Sequence, residues 1–425
     1  MITWFKSIFH PSAKGYLSAW AALLTMAVYC VFFVNAKRWR DDGIIQQDVR
    51  IYYEYLPALF THGDLSFSFL QNDSVADRHQ YWLVTQPETG KDVPKYTLGL
   101  ALVYAPVYLI HHGIARVLGH PIADFSTADG FGIAVSTLLF LGIGLLAARR
   151  LWLHWFSDTA CAIALLTVFL GTNLLHYSVL SPGYGHVFSF ALVALFANEA
   201  LQWGKTNGSL RAAKMGFLFG LIVLIRPSNA VIGLFVLLVL PNIPNSQGIW
   251  QFWFSRWKPL LIAAIFALLA ISPQLVVWKQ ITDSWVVYSY STERFFFLQP
   301  QLLKVWFSFR NGWFTYAPVL LLIFPGFYFL FKLNRPLFWS TVPFFLINSL
   351  VIASWWCWWY GGSFGSRPHM DALAISALPL VAFWQGLQRP YLRMAAGLIS
   401  VGLIALIGFQ FKQSTRGIFH YDGMT

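Results

Sequence analysis

Several stretches of the chain run for nearly twenty residues with almost no charged side chain, which is the strongest constraint on its fold. A helix of about 20 apolar residues spans the roughly 30 Å of hydrocarbon in a bilayer. Only 11% of the residues are charged and 57% are hydrophobic, whereas a typical soluble domain is about 25% charged. A transmembrane barrel would show short segments of alternating polarity instead. The sequence therefore predicts an all-α polytopic membrane protein.

Twelve apolar segments can be marked along the chain. They are residues 16–34, 96–118, 130–148, 159–178, 184–203, 212–225, 228–240, 259–280, 313–333, 336–354, 372–388 and 393–411. The first follows Lys6 and Lys14 and ends in Val34-Asn35-Ala36, which resembles a signal-peptide cleavage site. It is longer than the roughly 7–15-residue apolar core of a cleaved signal, so we interpret it as a retained signal anchor.

Basic residues collect in five short loops between the later segments. These are Arg149-Arg150, Lys205/Arg211/Lys214, Arg256/Lys258, Lys332/Arg335 and Arg389/Arg393. Such loops face the cytoplasm, and all five do so only if segment 96–118 does not cross. That segment is also the least membrane-like, because it contains His111, His112 and Arg116. We therefore predict about 11 transmembrane helices, with two juxtamembrane helices in an exterior loop, 35–129.

The net charge of +12 would suggest nucleic acid as the partner of a soluble protein. Here the basic loops account for it, so the expected partner is the lipid bilayer and not nucleic acid. Cys30, Cys161 and Cys357 are scattered through apolar surroundings without metal or redox spacing. We expect them to be small buried hydrophobes, and we predict no metal site from the sequence.

This topology collects the polar stretches of the chain on the exterior face. They are the Asp48 loop, residues 181–186, Arg226, the loop 281–312 and residues 355–371. Arg226-Pro227 separates two segments that are short for full crossings, and proline stops the first of them. An arginine at membrane depth indicates a functional site, and the alternative is an arginine that snorkels from a loop.

The stretch 46–60 predicts an amphipathic helix in the membrane interface. Its apolar positions are Ile51, Tyr52, Tyr55, Leu56, Leu59 and Phe60. Asp48 stands at its start, where the helix dipole favours an ionised carboxylate. Periodicity alone leaves two interpretations open, a functional acid and a plain helix cap.

The longer stretch "QQDVRIYYEYLPALFTHGDLSF" (46–67) resembles the first exterior loop of GT-C membrane glycosyltransferases. The likeness is to the protein O-mannosyltransferases and the lipid A aminoarabinose transferase. Asp48, Tyr52, Glu54, Gly63 and Asp64 match the spacing of that loop without a gap. The resemblance implies that Asp48 is the catalytic base, with Tyr52 and Glu54 among the substrate-binding residues. Val49 stands where those enzymes often have a second acid, which argues against a metal at that pair.

Three further positions extend the resemblance over residues 16–280. Lys95 matches a basic residue that opens a second juxtamembrane helix, and Arg226 lies where the family has a basic motif between spans five and six. His186 is the titratable residue in "LSPGYGHVFSF". The resemblance implies that these three bind the phosphate of a polyprenyl-phosphate sugar. No cofactor is required, and dependence on a divalent metal stays open.

Two later stretches are predicted to take part in the same exterior site. "YSTERFFFLQP" (290–300) contains Glu293 and Arg294, and it either closes over the site or forms a salt-bridged interfacial helix. Residues 353–371 combine four tryptophans with glycines and the polar residues Arg367, His369 and Asp371. Sugar rings can stack on the aromatic residues, and Arg367 can bind phosphate, with His369 beside it.

The resemblance implies a glycosyltransferase of the cytoplasmic (inner) membrane whose active site faces the exterior or periplasm. It would move a sugar from a polyprenyl-phosphate donor to an unknown glycan, lipid or protein acceptor. The expected organisation is a seven-span module (1–280), an exterior loop (281–312) and a four-span bundle (313–425). The alternatives are a transporter or flippase of an amphipathic substrate, which would have inverted repeats and mid-membrane charges, and a scaffolding membrane protein.

Overall fold

The chain folds as a mostly helical protein whose helices follow the apolar segments closely. The computed structural model describes residues 16–40, 43–72, 83–120, 123–242 and 248–418. Lys6 and Lys14, which support the signal-anchor interpretation, lie outside these residues. Each of the twelve apolar segments contains helix, so the prediction of helices at those positions is confirmed.

The elements are numbered here in chain order. The first part contains α1 (Leu17–Ala36), α2 (Gln47–Tyr53), α3 (Tyr55–Pro57), β1 (Leu83–Thr85), β2 (Asp92–Pro94) and α4 (Gly99–Val117). The middle part contains α5 (Thr127–Trp152), α6 (Asp158–Leu170), α7 (Leu174–Val179), α8 (Gly185–Thr206), α9 (Ser209–Ile225), α10 (Ile232–Val239), α11 (Ile249–Phe254) and α12 (Trp257–Thr282). The last part contains α13 (Leu302–Phe307), α14 (Trp313–Tyr316), α15 (Ile323–Leu333), α16 (Arg335–Ala353), α17 (Leu373–Ser376), α18 (Leu378–Gly386) and α19 (Pro390–Thr415).

Within the described residues, seven helices are long and apolar enough to cross a membrane, namely α1, α4, α5, α8, α12, α16 and α19. Shorter apolar helical segments lie at Asp158–Leu170, Pro227–Asn242, Pro318–Leu333 and Leu373–Gly386. The two strands form a single antiparallel hairpin, with Val84 opposite Val93. The architecture is that of an all-α integral membrane protein.

Helix α4 qualifies as a span by length and composition, and several of its contacts lie near the ends of other helices. Just before α4, the hydroxyl of Thr97 donates to the carbonyl of Leu224, in the last turn of α9. Further along α4, Tyr104 donates to the carbonyl of Gly183, next to the start of α8, and His112 lies 2.8 Å from Asp129 in the first turn of α5. These three contacts place the α4 segment beside the end of α9 and the starts of α8 and α5.

The start of α4 approaches α9 so closely that it needs a glycine. A Cβ atom on Gly99 would lie 2.7 Å from the backbone nitrogen of Ile225 and 2.7 Å from the backbone carbon of Leu224. Real Cβ atoms do not come this close to backbone, so a larger residue would push the two elements apart. Gly99 therefore sets how near Lys95 and Tyr96 lie to Arg226, the residue that follows α9.

Glycines also bring α9 and α12 together. Gly216 and Gly220 are spaced as in a G-x-x-x-G motif, which lets membrane helices approach at backbone distance. A Cβ on Gly216 would lie 1.9 Å from the carbonyl oxygen of Ala263, and one on Gly220 would lie 2.4 Å from that of Ala267. This pairing fixes the position of the C-terminal end of α9, where Arg226 follows.

Candidate functional site

Asp48 lies in the first turn of α2, as predicted, but it does not cap the helix. The cap position belongs to Gln46, and no side-chain hydrogen bond caps α2. The Oδ2 atom of Asp48 lies 3.0 Å from Nη1 of Arg367. Its Oδ1 accepts a hydrogen bond of 3.1 Å from the hydroxyl of Tyr96. The helix-cap interpretation is therefore wrong, because the carboxylate is held by two side chains that are distant in the chain.

Beyond Asp48, the helix that carries it is buried on all sides, whereas the sequence predicted an amphipathic helix. Every residue from 49 to 58 is buried, whereas Leu59 and Phe60 are 37% and 47% exposed. Helix α4 packs against α2 and α3. The chain then turns at Gly63, whose φ of 61° favours glycine. Asp64 stabilises this turn by accepting backbone hydrogen bonds from Ser66 and Ser68.

Stacked tyrosines line the cluster behind Asp48. The ring centroids of Tyr52 and Tyr96 are 4.8 Å apart in a stacked arrangement, and Tyr290 lies 6.1 Å from Tyr96. The hydroxyl of Tyr52 is close enough to Asp48, Arg226 and Arg367 to interact with their charges. Burial, followed by the charge of Asp48, raises the pKa of Tyr52, so this hydroxyl stays neutral. The charged groups of Asp48, Arg226 and Arg367 therefore lie around the hydroxyl of Tyr52.

Lys95 pairs with an acid on the loop after α12. Its Nζ atom lies 2.6 Å from Oε1 of Glu293, and its carbonyl accepts a hydrogen bond of 2.7 Å from the hydroxyl of Ser289. Residues 284–301 contain no helix, so the alternative of a salt-bridged interfacial helix is wrong. The loop instead pairs with the segment after α16, because the backbone nitrogen of Phe296 donates to the carbonyl of Ser354 over 2.6 Å.

Arg226 belongs to a closed polar network centred on Asp371. Its Nε atom lies 3.2 Å from Oδ2 of Asp371, and Nδ2 of Asn229 donates to the same oxygen over 3.0 Å. The Nδ1 atom of His186 lies 2.7 Å from the other oxygen, Oδ1. Nη1 of Arg226 lies 3.2 Å from Nε2 of His186. The network therefore joins the break after α9 to the start of α8 and to the segment before α17.

The charged residues form three pairs that differ in access. The side chains of Asp48 and Arg367 are 18% and 13% exposed, and those of Lys95 and Glu293 are 11% and 21% exposed. Arg226 is 19% exposed, but its partner Asp371 is only 2% exposed. A ligand can therefore reach the three cations and Asp48. Asp371 is too buried to contact a ligand directly, and it acts through its ion pair with Arg226.

Three predicted site residues lie away from this cluster. Both carboxylate oxygens of Glu54 are buried without a hydrogen-bond partner among the described residues. His369 is 1% exposed, stacks on Trp313 and lies within hydrogen-bonding distance of Ser349 and Ser366. Arg294 is exposed, and its guanidinium lies 5.1 Å from the ring centroid of Phe296.

Sequence reasoning missed three residues of the cluster and undervalued a fourth. Tyr96, Tyr290 and Asn229 have no motif that distinguishes them from interfacial aromatic or loop residues. Asp371 was noticed only as part of a polar trio. The sequence did single out Asp371 in one respect. Acidic residues are rare in this chain, which has 17 of them, and Asp371 stands at the mouth of an apolar segment.

Within the described residues, each acid of the cluster is paired with a cation. The cluster therefore offers no preformed set of metal ligands there. Its chemistry is that of a base beside several cations, which suits an anionic substrate that carries a reactive group. Comparison of the chain with protein-family models and with curated proteins finds no match.

Proposed function

We propose that the protein is a GT-C-type glycosyltransferase that moves a sugar from a polyprenyl-phosphate donor to an acceptor. One observation carries the proposal: Asp48, Lys95, Arg226 and Arg367 converge around the stacked Tyr52 and Tyr96 while remaining partly exposed. A reaction that breaks a sugar–phosphate bond requires this combination of a base and phosphate-binding cations.

The reaction needs two kinds of help, and the cluster can supply both. The acceptor oxygen attacks the anomeric carbon, and Asp48 takes the proton that the acceptor loses. A new carbon–oxygen bond forms while the bond from the anomeric carbon to the phosphate oxygen breaks. The electron pair leaves with the polyprenyl phosphate, whose developing charge Arg226, Lys95 and Arg367 would stabilise. Tyr52 and Tyr96 offer ring faces near the sugar.

The position of α4 supports the topology that this proposal needs. Its contacts near the ends of α5, α8 and α9 support the proposal of a juxtamembrane helix, which would leave 11 spans. The charged cluster then lies at the exterior face of the cytoplasmic membrane, and the five basic loops lie at the opposite end. A lipid-linked donor presents its phosphate and sugar at this boundary, where the cluster is partly open.

The proposal is tested with purified protein and a panel of polyprenyl-phosphate sugars, by measuring release of polyprenyl phosphate. The variant Asp48→Asn should bind donor normally and lose about 10²–10⁴-fold of its rate, the usual contribution of a general base. Asp283→Asn is the matched control, because Asp283 is a 97% exposed acid in a backbone conformation that asparagine also tolerates.

Two outcomes would count against the proposal. Full turnover by Asp48→Asn would remove Asp48 from the role of base. Movement of intact donor across the membrane of protein-containing vesicles, without release of polyprenyl phosphate, would favour a flippase instead.

A further inference from the structure

Two adjacent histidines near the end of α4 face a buried aspartate at the start of α5. Nε2 of His112 lies 2.8 Å, and Nδ1 of His111 lies 3.5 Å, from the same oxygen, Oδ1 of Asp129. One donor atom from each of the three residues lies within 4.8 Å of the others. Two imidazoles and a carboxylate form one of the three-ligand sets that bind Zn²⁺ and leave a fourth position open.

The carboxylate of Asp129 is already oriented for such a role. Its Oδ2 accepts hydrogen bonds from the backbone nitrogen of Ser126, over 3.0 Å, and from its hydroxyl, over 2.8 Å. These contacts form the capping box of α5 and leave Oδ1 facing the histidines. The ring of His112 is held by stacking on Tyr108, at a centroid distance of 3.9 Å. Fixed outer contacts of this kind orient metal ligands.

A second observation points to an occupant. Tyr53 is 2% exposed, and its hydroxyl lies close to Asp129 without a well-formed hydrogen bond to the described residues. Together with His111 and Asp129 it lines a cavity of ≈ 10 Å³. That volume is about what one water-sized occupant needs. A buried hydroxyl without a well-formed hydrogen bond is unfavourable, so a ligand that accepts or donates a hydrogen bond there would stabilise the fold.

We infer that His111, His112 and Asp129 bind one Zn²⁺ ion, with Tyr53 hydrogen-bonded to a water at its open position. Zinc–ligand bonds of about 2.0–2.2 Å in a tetrahedral site hold the ligand atoms roughly 3.4 Å apart. The distance of 3.5 Å between His111 and Asp129 already fits this geometry, whereas the 2.8 Å contact between His112 and Asp129 must open by about half an ångström. The ion fastens the end of α4 to the start of α5. The site is independent of the proposed glycosyl transfer, and its test does not use activity.

The experiment measures Zn²⁺ binding to full-length, chelator-treated protein by titration calorimetry, with Mg²⁺ as a comparison ion. The wild type should bind one Zn²⁺ per chain and little Mg²⁺, which prefers oxygen ligands. His111→Ala and His112→Gln should weaken Zn²⁺ binding by more than about 100-fold. Tyr53→Phe should weaken it by about 10-fold, as loss of an outer contact does. His120→Ala is the matched control, since His120 is an exposed histidine of the same segment.

Thermal unfolding provides a second measurement that does not depend on one variant folding well. Zn²⁺ should raise the unfolding temperature of the wild type and of His120→Ala, but not that of His112→Gln. The amide of glutamine can still donate to Asp129, so this variant keeps the hydrogen bond and loses only the metal ligand. The inference is overturned if the wild type binds no Zn²⁺, or if His111→Ala and His112→Gln bind it as the wild type does.

Discussion

At the scale of single residues, Glu54 shows how burial changes the meaning of a motif position. It matches an acid of the GT-C loop, yet it is fully buried and neither carboxylate oxygen has a hydrogen-bond partner among the described residues. Burial raises the pKa of Glu54 well above its usual value, although the nearby charge of Arg50 lowers it. Burial therefore favours the protonated, neutral form of this carboxyl group in the folded protein.

This protonation makes the stability of the protein depend on pH. Above about pH 4.3 the unfolded chain releases the proton of Glu54, whereas the folded chain retains it. The unfolding free energy therefore falls as pH rises, by up to about 1.4 kcal/mol per pH unit, until the folded-state pKa is reached. Glu54→Gln should come closest to the wild type in unfolding temperature near pH 4, below the unfolded-state pKa, and exceed it at pH 8.

The matched control for this measurement is Glu88→Gln, in the exposed turn between β1 and β2. It should give the same small difference from the wild type at both pH values, because its carboxyl group is solvated in both states. A wild type that is more stable than Glu54→Gln at pH 8 would mean that Glu54 is ionised and paired with Arg50.

At the scale of elements, the acids that pair with Lys95 and with Arg226 are held differently. Glu293, on the loop between α12 and α13, pairs with Lys95, and the loop is anchored by Ser289, which donates to the carbonyl of Lys95, and by backbone hydrogen bonds to the segment at the end of α16. The opposite element, which carries Asp371, is held by Arg226, His186 and Asn229 at once. Donor phosphate should therefore displace Glu293 rather than Asp371.

The variant Glu293→Gln tests this difference under the proposed function. Removal of the acid frees the charge of Lys95 for the donor phosphate, so the donor dissociation constant should fall. Partly exposed ion pairs contribute up to about 1 kcal/mol, which corresponds to about a two- to fivefold change. Asp283→Asn, on the same loop, should leave it unchanged. Weaker donor binding by Glu293→Gln would indicate that Glu293 contacts the donor or positions the loop.

At the scale of the whole molecule, the sequence predicted the helices far better than the site. Apolar segments must be about as long as a bilayer is thick, so their positions are visible in composition alone. The partners of Asp48, Lys95 and Arg226 are not visible in this way. The charged partners Arg367, Glu293 and Asp371 come from residues more than 100 positions away, and only the packing of α4, α9 and the loop after α12 brings them together. Asp371 was missed as the centre of a network for the same reason.

The placement of the two ends of the molecule leads to the last prediction. Leu298 is 98% exposed on the loop that carries Glu293, and Thr206 is exposed beside the basic loop after α8. Single cysteines at these positions, in a chain whose Cys30, Cys161 and Cys357 are replaced by alanine, can be labelled with a membrane-impermeant maleimide. Because basic loops stay in the cytoplasm, Leu298→Cys should react in intact cells and Thr206→Cys only after permeabilisation. If both react in intact cells, the two ends do not lie on opposite faces of the membrane. Labelling of Thr206→Cys alone would reverse the orientation and place the cluster in the cytoplasm, where a polyprenyl-phosphate donor would have to be used before it crosses the membrane.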